Sequence, residues 1–171
     1  GAAWVVVNNY RKGDYRPFLF KTTDYGKTWK NLVDENKVKG YALSVAQDLE
    51  EPKLVFLGTE NGLWVSIDEG ETWVQFMNGF PSVSTMDLKI QESESALIVG
   101  TFGRAIWVID DLNALRAAAN GSLKKELQAL QMNDAVQVKG LFIAPPGNIW
   151  TGFHTTFEGE NRVFQKVEIP Y

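Results

Sequence analysis

The stretch KTTDYGKTWK at residues 21–30 returns as VSIDEGETWV at residues 65–74. The shared pattern, Ser/Thr-x-Asp-x-Gly-x-Thr-Trp, places Asp24 and Asp68 44 residues apart. A further match, GTENGLWVSID (58–68) against GTFGRAIWVID (100–110), sets Asp110 42 residues beyond Asp68. Periods of this size belong to propeller blades, helical arrays or solenoids, in which one unit cannot bury its apolar surface alone. The content of the unit decides among them. Between the boxes lie YALSVAQD, KLVFLGTE, GLWVSID and TWVQFM, four short β-rich runs separated by Glu-Pro, Asn-Gly and Gly-Glu turns. Four antiparallel strands per unit make a propeller blade and exclude a helical array.

Counting strands limits the architecture. The first unit offers AWVVVNN, PFLFKTTD and TWKNLV but no first strand; the second is complete; the third has STMDLKIQ, ALIVGTF and AIWVIDD before the pattern breaks. A closed propeller needs at least about four blades, so the chain is not expected to close a ring alone. After Asp110, DLNALRAAA (111–119) predicts a helix with Asp111 capping its start and Asn120-Gly121 ending it. LKKELQAL (123–130) puts Leu123, Leu127 and Leu130 on one face of a second helix. AVQVKGLFIA (135–144) predicts a strand able to complete the third blade, and Pro145-Pro146-Gly147 a linker.

The expected fold is therefore all-β in the main. It is a partial propeller of about two and a half four-stranded blades over residues 2–144, with a helical insertion at 111–130. Residues 145–171 form a linker and the start of a further β segment. Gly1 reads as a remnant of tag removal, and the whole as a piece of a longer, exported protein.

Composition narrows the partners. A net charge of −4 with Lys and Arg scattered singly argues against nucleic acid and against an anionic membrane surface. No apolar run approaches the ~18 residues of a membrane span. The absence of cysteine removes disulfides, thiolate catalysis and zinc–cysteine sites together, while leaving the compartment open.

Each box residue has an architectural task. Asp24 and Asp68 can accept backbone N–H bonds from the turn that follows them. Gly26 and Gly70 permit a positive φ. Thr28 and Thr72 can bond back across the turn, and Trp29 and Trp73 can bury their rings in the blade. With Thr22 and Ser66 opening the two boxes and Asp110 marking the third, these positions read as structure. Catalytic acids do not recur once per repeat.

The boxes resemble the Asp-box (BNR) repeats of sialidases, sortilin-type receptors, xyloglucanases and photosystem assembly factors. With GTENGLWVSIDEGETW, LIVGTFGRAIWVIDDLNALR and GENR, the chain looks like the C-terminal end of the large sortilin-like (VPS10-type) BNR-repeat proteins of bacteria, often labelled glycosyl hydrolases. The resemblance covers residues 4–116 and reaches weakly into the tail. It implies an architectural box, a secreted, periplasmic or cell-surface parent, and further blades of that parent as neighbours. The third box departs from the pattern: Asp110 is kept, but DLNAL replaces Gly, Thr and Trp.

No catalytic residue emerges. Arg11, Arg16, Arg104 and Arg116 lie in unlike contexts and do not assemble the arginine triad that a sialidase resemblance would require. A glycosidase needs two carboxylates across a cleft. The adjacent pairs are Asp110-Asp111, assigned to box and helix cap, and Glu158/Glu160. His154, the single histidine, has no Asp, Glu or Cys at ligand spacing, so neither metal nor cofactor is expected. NGS at 120–122 reads as a chance sequon.

The candidate ligand contacts are Arg104, which takes the place of the turn glycine Gly62, Tyr15 and Phe102. Tyr10 and Tyr25 are further turn aromatics, although Tyr25 belongs to the box turn at the outer edge of its blade. Two readings follow: a non-catalytic scaffold that supports glycan or protein binding, and part of a glycoside hydrolase whose acids lie mostly elsewhere. Bare blade faces predict self-association unless Leu123, Leu127 and Leu130 cover one of them.

Overall fold

A computed structural model of the chain describes residues 1–123 and 130, together with the backbone of residues 149–158 and 161–170. Three antiparallel meanders follow one another. The first contains β1 (Ala3–Asn9), β2 (Asp14–Thr22) and β3 (Lys30–Asn31). The second contains β4 (Ala42–Gln47), β5 (Val55–Thr59), β6 (Gly62–Ser66) and β7 (Val74–Gln75). The third contains β8 (Thr85–Gln91), β9 (Ala96–Thr101) and β10 (Ile106–Ile109). Strands pair in chain order within each sheet. Helix α1 (Asn113–Ala119) follows β10. The fold is a partial β-propeller. A separate compact unit, residues 134–171, holds a hairpin of β11 (Ile149–Glu158) and β12 (Asn161–Pro170), paired from Glu158–Asn161 to Ile149–Pro170.

The middle blade explains the stacking. Along β5 and β6 successive side chains point to opposite faces. Val55, Leu57 and Trp64 enter one core with Leu19, Leu32, Val33 and Val38 of the first blade and its following loop. Phe56, Leu63 and Val65 enter a second core with Leu88, Leu97 and Val99 of the third blade and Leu112 beyond it. All five β5 residues and all five β6 residues are buried. Gly58 is required at this crowded point: a Cβ there would stand 2.6 Å from the Thr85 carbonyl oxygen of the next blade.

Three features differ from the sequence expectation. Strand TWKNLV contracts to Lys30–Asn31, because Thr28 and Trp29 are tied into the box turn. The first helix starts at Asn113 rather than residue 111, with Asp111 Oδ1 accepting the Asn113 N–H at 2.8 Å. Its end is as read: Gly121 has φ +73°, and the Gly121 and Ser122 N–H groups donate to the Ala118 and Ala117 carbonyls. Of the leucines expected to cover a face, Leu123 is 47% exposed and Leu130 half-buried. Leu127, the strand expected at 135–144 and the Pro-Pro-Gly linker lie outside the described residues.

Strand pairing also shifts the third repeat by one residue. Leu57 faces Trp64 in the second blade, and Val99 faces Trp107 in the third. The turn after Thr59 holds Glu60 and Asn61, whereas the turn after Thr101 holds Phe102, Gly103 and Arg104. Ala105 (φ +63°), not Arg104, therefore stands where Gly62 stood. Counting four residues on from each Trp gives Asp68 and Asp111. Asp111, rather than Asp110, holds the box register; Asp110 is exposed.

The helix is pinned by a buried ion pair. Arg116, five residues after Asp111 as Trp73 is after Asp68, donates from Nε to Asp48 Oδ2 at 2.7 Å. Its Nη1 donates to Ser95 Oγ and to Glu50 Oε2, both at 2.9 Å. The Asp48 side chain is 1% exposed and that of Arg116 8%. Asp48 also accepts the Glu50 and Glu51 N–H groups, so one carboxylate serves both the β4–β5 turn and the helix. Asp48→Ala leaves a guanidinium buried beside a weaker partner and should destabilise the fold by about 3 kcal/mol. Glu50→Ala, at a 60% exposed partner, should cost less than about 1 kcal/mol. Urea denaturation of the two variants checks the contrast.

Candidate functional site: the loop face opposite the box turns

Antiparallel meanders sort their connections to two ends. The turns after β2 and β6 carry the boxes at one end, beside the β4–β5 and β8–β9 turns. The turns after β1, β5 and β9 and the links into β4 and β8 gather at the other.

At the first end the two boxes are built alike. Thr22 Oγ1 donates to Asp24 Oδ1 at 2.8 Å and accepts the Gly26 N–H at 3.0 Å. Asp24 accepts the Thr28 N–H at 2.9 Å and the Thr28 hydroxyl at 2.6 Å. In the second box Ser66 donates to Asp68 at 2.8 Å, and Thr72 gives Asp68 its N–H at 2.8 Å and its hydroxyl at 2.5 Å. Trp29 and Trp73 each donate their indole N–H to the box glycine carbonyl. Tyr25-Gly26 and Glu69-Gly70 are consecutive positive-φ pairs.

One expectation fails here: Trp73 is 9% exposed, but Trp29 is 45% exposed. The Gly70 turn lies against Leu32 and Trp4 of the preceding blade, while among the described residues a Cβ at Gly26 would meet only the ring of its own Trp29. Ion pairs from Lys21 to Glu69 (2.5 Å) and from Lys30 to Glu71 (2.6 Å) tie the second box to the first blade.

The opposite end is aromatic. Tyr10, in the β1–β2 turn, stacks on Tyr41 at 4.8 Å between ring centroids and 17° between planes. Tyr15 tilts against the same ring at 6.1 Å. Tyr41 leads into β4, and its carbonyl accepts the Glu60 N–H at 3.1 Å. The Glu60 carbonyl accepts the Ser84 hydroxyl at 3.2 Å, and the Ser84 carbonyl accepts the Phe102 N–H at 2.9 Å. A polar seam thus joins the second blade to the third across this face, and the Tyr41 ring joins the second to the first. Tyr15 is 59% exposed and Phe102 75%.

Sequence reasoning missed Tyr41, whose signal was its place just before the first strand of a complete blade. Burial, then the nearby Glu60 charge, raises its phenol above the ordinary value. Arg104 is exposed; its carbonyl accepts the Trp107 indole N–H, and among the described residues its guanidinium has no acidic partner. Tyr25, 89% exposed, belongs to the box end.

A fixed charge pair flanks the aromatic cluster. Asp14 is held down to about 2 by its bidentate hydrogen bonds from Arg16, at 2.9 and 2.8 Å, so it is a fixed anion at neutral pH. Among the described residues no group of His, Asp or Glu is arranged to hold a metal. The backbone of His154 pairs with Gln165 in the separate hairpin.

No family model matches the chain. A xyloglucanase of Acetivibrio thermocellus is 29% identical over 101 residues, which cover 54% of this chain and 11% of the relative. A vacuolar protein sorting/targeting protein of Phaeosphaeria nodorum is 28% identical over 102 residues, 54% of this chain and 7% of the relative. The chain spans about a tenth of the length of the curated relatives it matches. These similarities support a propeller-type family. Among the described residues no helix is long and apolar enough to cross a membrane.

The boxes carry a pH signature. Asp24 is lowered to about 2, first by the Thr28 hydroxyl, then by the Thr28 N–H and the Thr22 hydroxyl. At Asp68 burial is the largest single influence and pushes upward, but the Thr72 hydroxyl, the Thr72 N–H and the Ser66 hydroxyl together outweigh it. A carboxyl depressed on folding adds stability above its ordinary pKa, about 3.9, and loses it as pH falls through the folded value. Stability read from tryptophan emission should therefore fall between about pH 4 and about pH 2, and less steeply in the Asp24→Asn, Asp68→Asn double variant. At neutral pH, Asp68→Ala should cost about 1–3 kcal/mol in urea denaturation, because the Thr72 donors lose their acceptor.

Proposed function

We propose that this chain is a non-catalytic β-propeller segment of a larger, exported Asp-box protein, and that its loop face binds glycan. The observation that carries the reading is the Tyr10–Tyr41 stack with Tyr15 beside it and Phe102 at the far end of the seam, all at the end remote from the boxes. Exposed rings held by a rigid scaffold lose little entropy on binding and offer flat apolar surfaces to the faces of sugar rings. The Asp14 carboxylate and the exposed Arg104, whose guanidinium has no acidic partner among the described residues, supply an acceptor and donors for hydroxyl groups. The Asp-box turns serve stability, in keeping with side-chain bonds that close on themselves. The similarity to a xyloglucanase points to a xyloglucan-type oligosaccharide as the first ligand to try.

The same similarity favours one alternative: the chain forms a binding wall of a glycoside hydrolase whose acids lie mostly outside it. In that case Tyr15→Ala in the longer protein raises KM for polysaccharide cleavage with little change in kcat.

Calorimetric titration with xyloglucan oligosaccharides tests the binding reading. Tyr15→Ala and Phe102→Ala should each weaken binding by about 3–10-fold, the worth of one aromatic contact. Tyr25→Ala, at the box end, should leave it unchanged. Binding that ignores Tyr15 and Phe102, or capture of a protein ligand in place of glycan, overturns it.

A further inference from the structure

The turns after β1, β5 and β9, residues 10–13, 60–61 and 102–104, follow one another across the loop face. Their charged residues are Arg11, Lys12 and Arg104 against Glu60, in a chain whose net charge is −4. Among the described residues none of the three cations is paired with an acid. Arg16 differs, because Asp14 neutralises it through two hydrogen bonds.

The two outer turns bring together the same chemical groups. In the first, the Arg11 guanidinium lies 6.0 Å from the centre of the Tyr10 ring, and its Nε donates to the Tyr10 hydroxyl at 3.5 Å. Tyr15, 59% exposed, follows on the same turn. In the third, Phe102 and Arg104 are both exposed, and the backbone beneath them is fixed. The Thr101 N–H and hydroxyl both donate to the Ala105 carbonyl, at 3.3 and 2.6 Å, and the Trp107 indole donates to the Arg104 carbonyl at 2.8 Å. Each outer turn thus sets an aromatic ring beside a guanidinium without an acidic partner. The ring suits the face of a sugar, and the planar fork of the guanidinium matches a carboxylate. Packed sheets stand about 10 Å apart, so stations two blades apart are separated by about 20 Å. A chain of sugars reaches both stations; a disaccharide reaches one.

We infer that the glycan taken by this face is acidic, a polymer of carboxylated sugars held by Arg11 at one station and by Arg104 at the other. Given the glycan reading above, on which this rests, the rings supply the stacking and the two arginines select the charge. A neutral xyloglucan fragment binds through the rings alone and is the weaker ligand.

Calorimetric titration of the 171-residue chain with a long oligogalacturonate, and with its methyl ester, tests this, because the two ligands differ only in charge. The acid should bind about tenfold more tightly than the ester, the sum of two exposed ion pairs. That advantage should vanish as salt rises from about 0.01 M to about 1 M, where the screening length falls from ~30 to ~3 Å. Arg11→Gln and Arg104→Gln should each weaken the acid about 3–5-fold and leave the ester unchanged. Digalacturonate, limited to one station, should bind at least about tenfold more weakly than the long acid. Acid and ester bound alike, both through Tyr15 and Phe102, overturn the inference and leave the glycan reading standing. No binding of either ligand, or of the xyloglucan fragment, overturns both. Arginine variants that weaken acid and ester equally also overturn it, since those side chains would then hold the turns rather than read charge. A sulfated oligosaccharide bound more tightly than the oligogalacturonate overturns the carboxylate assignment.

Discussion

The sheet β4–β7 keeps no face for water, since Val55, Leu57 and Trp64 point one way while Phe56, Leu63 and Val65 point the other. Burying one such side chain contributes about 1.5–3 kcal/mol, and a sheet that buries both faces needs a neighbour on each side to collect it. The outer sheets follow from that requirement. Each gives one face to the middle blade and keeps the other, so their exposed apolar residues fall on Val5, Val7 and Trp29 at one end and on Ile106 and Val108 at the other. Close approach at Gly58, where a side chain would meet the Thr85 carbonyl, sets how near the innermost strands can come.

The box turns solve a different problem. A blade's outermost strand is only two residues long, too short to hold the chain by ladder hydrogen bonds alone. Asp24 and Asp68 replace those bonds with a side-chain network that fixes the turn from within. The indole of each box then bonds the glycine carbonyl, so ring and turn are set as one rigid piece. Whether that ring is buried depends on the neighbouring blade. Trp29 and Trp73 make the same internal bond and differ fivefold in exposure. Local sequence dictates the turn; tertiary context decides what it covers.

This separates what could be read in the sequence from what could not. The period, the strand-rich unit and the box chemistry are local, and they appear in the fold much as the residues imply. Arg116 and Asp48 stand 68 residues apart with nothing in either neighbourhood to pair them. Only the docking of α1 over two successive inner turns makes them partners. The stacking of Tyr41 was hidden for the same reason, since its partner rings come from the previous blade. The third box was misplaced by one residue because GTENGLWVSID and GTFGRAIWVID align end to end without a gap. Their turns differ in length, a difference betrayed only by the positive φ of Ala105 and the pairing of Trp107 with Val99. The pattern resembling the Asp-box repeats identified the scaffold and said little about the other end of the blades.

The other end of the blades is held together differently. The boxes, the Lys21–Glu69 and Lys30–Glu71 pairs and the Arg116–Asp48 bridge all lie at the first end, where they lock blade to blade. The loop face is joined by backbone carbonyls and a serine hydroxyl, through Tyr41, Glu60, Ser84 and Phe102. All three contacts accept on backbone carbonyls and only Ser84 donates from a side chain, so the other residues above the seam can change while it remains. Tyr41 is the exception. Its carbonyl holds the seam and its ring holds Tyr10 and Tyr15, so the aromatic surface and the join between the first two blades move together.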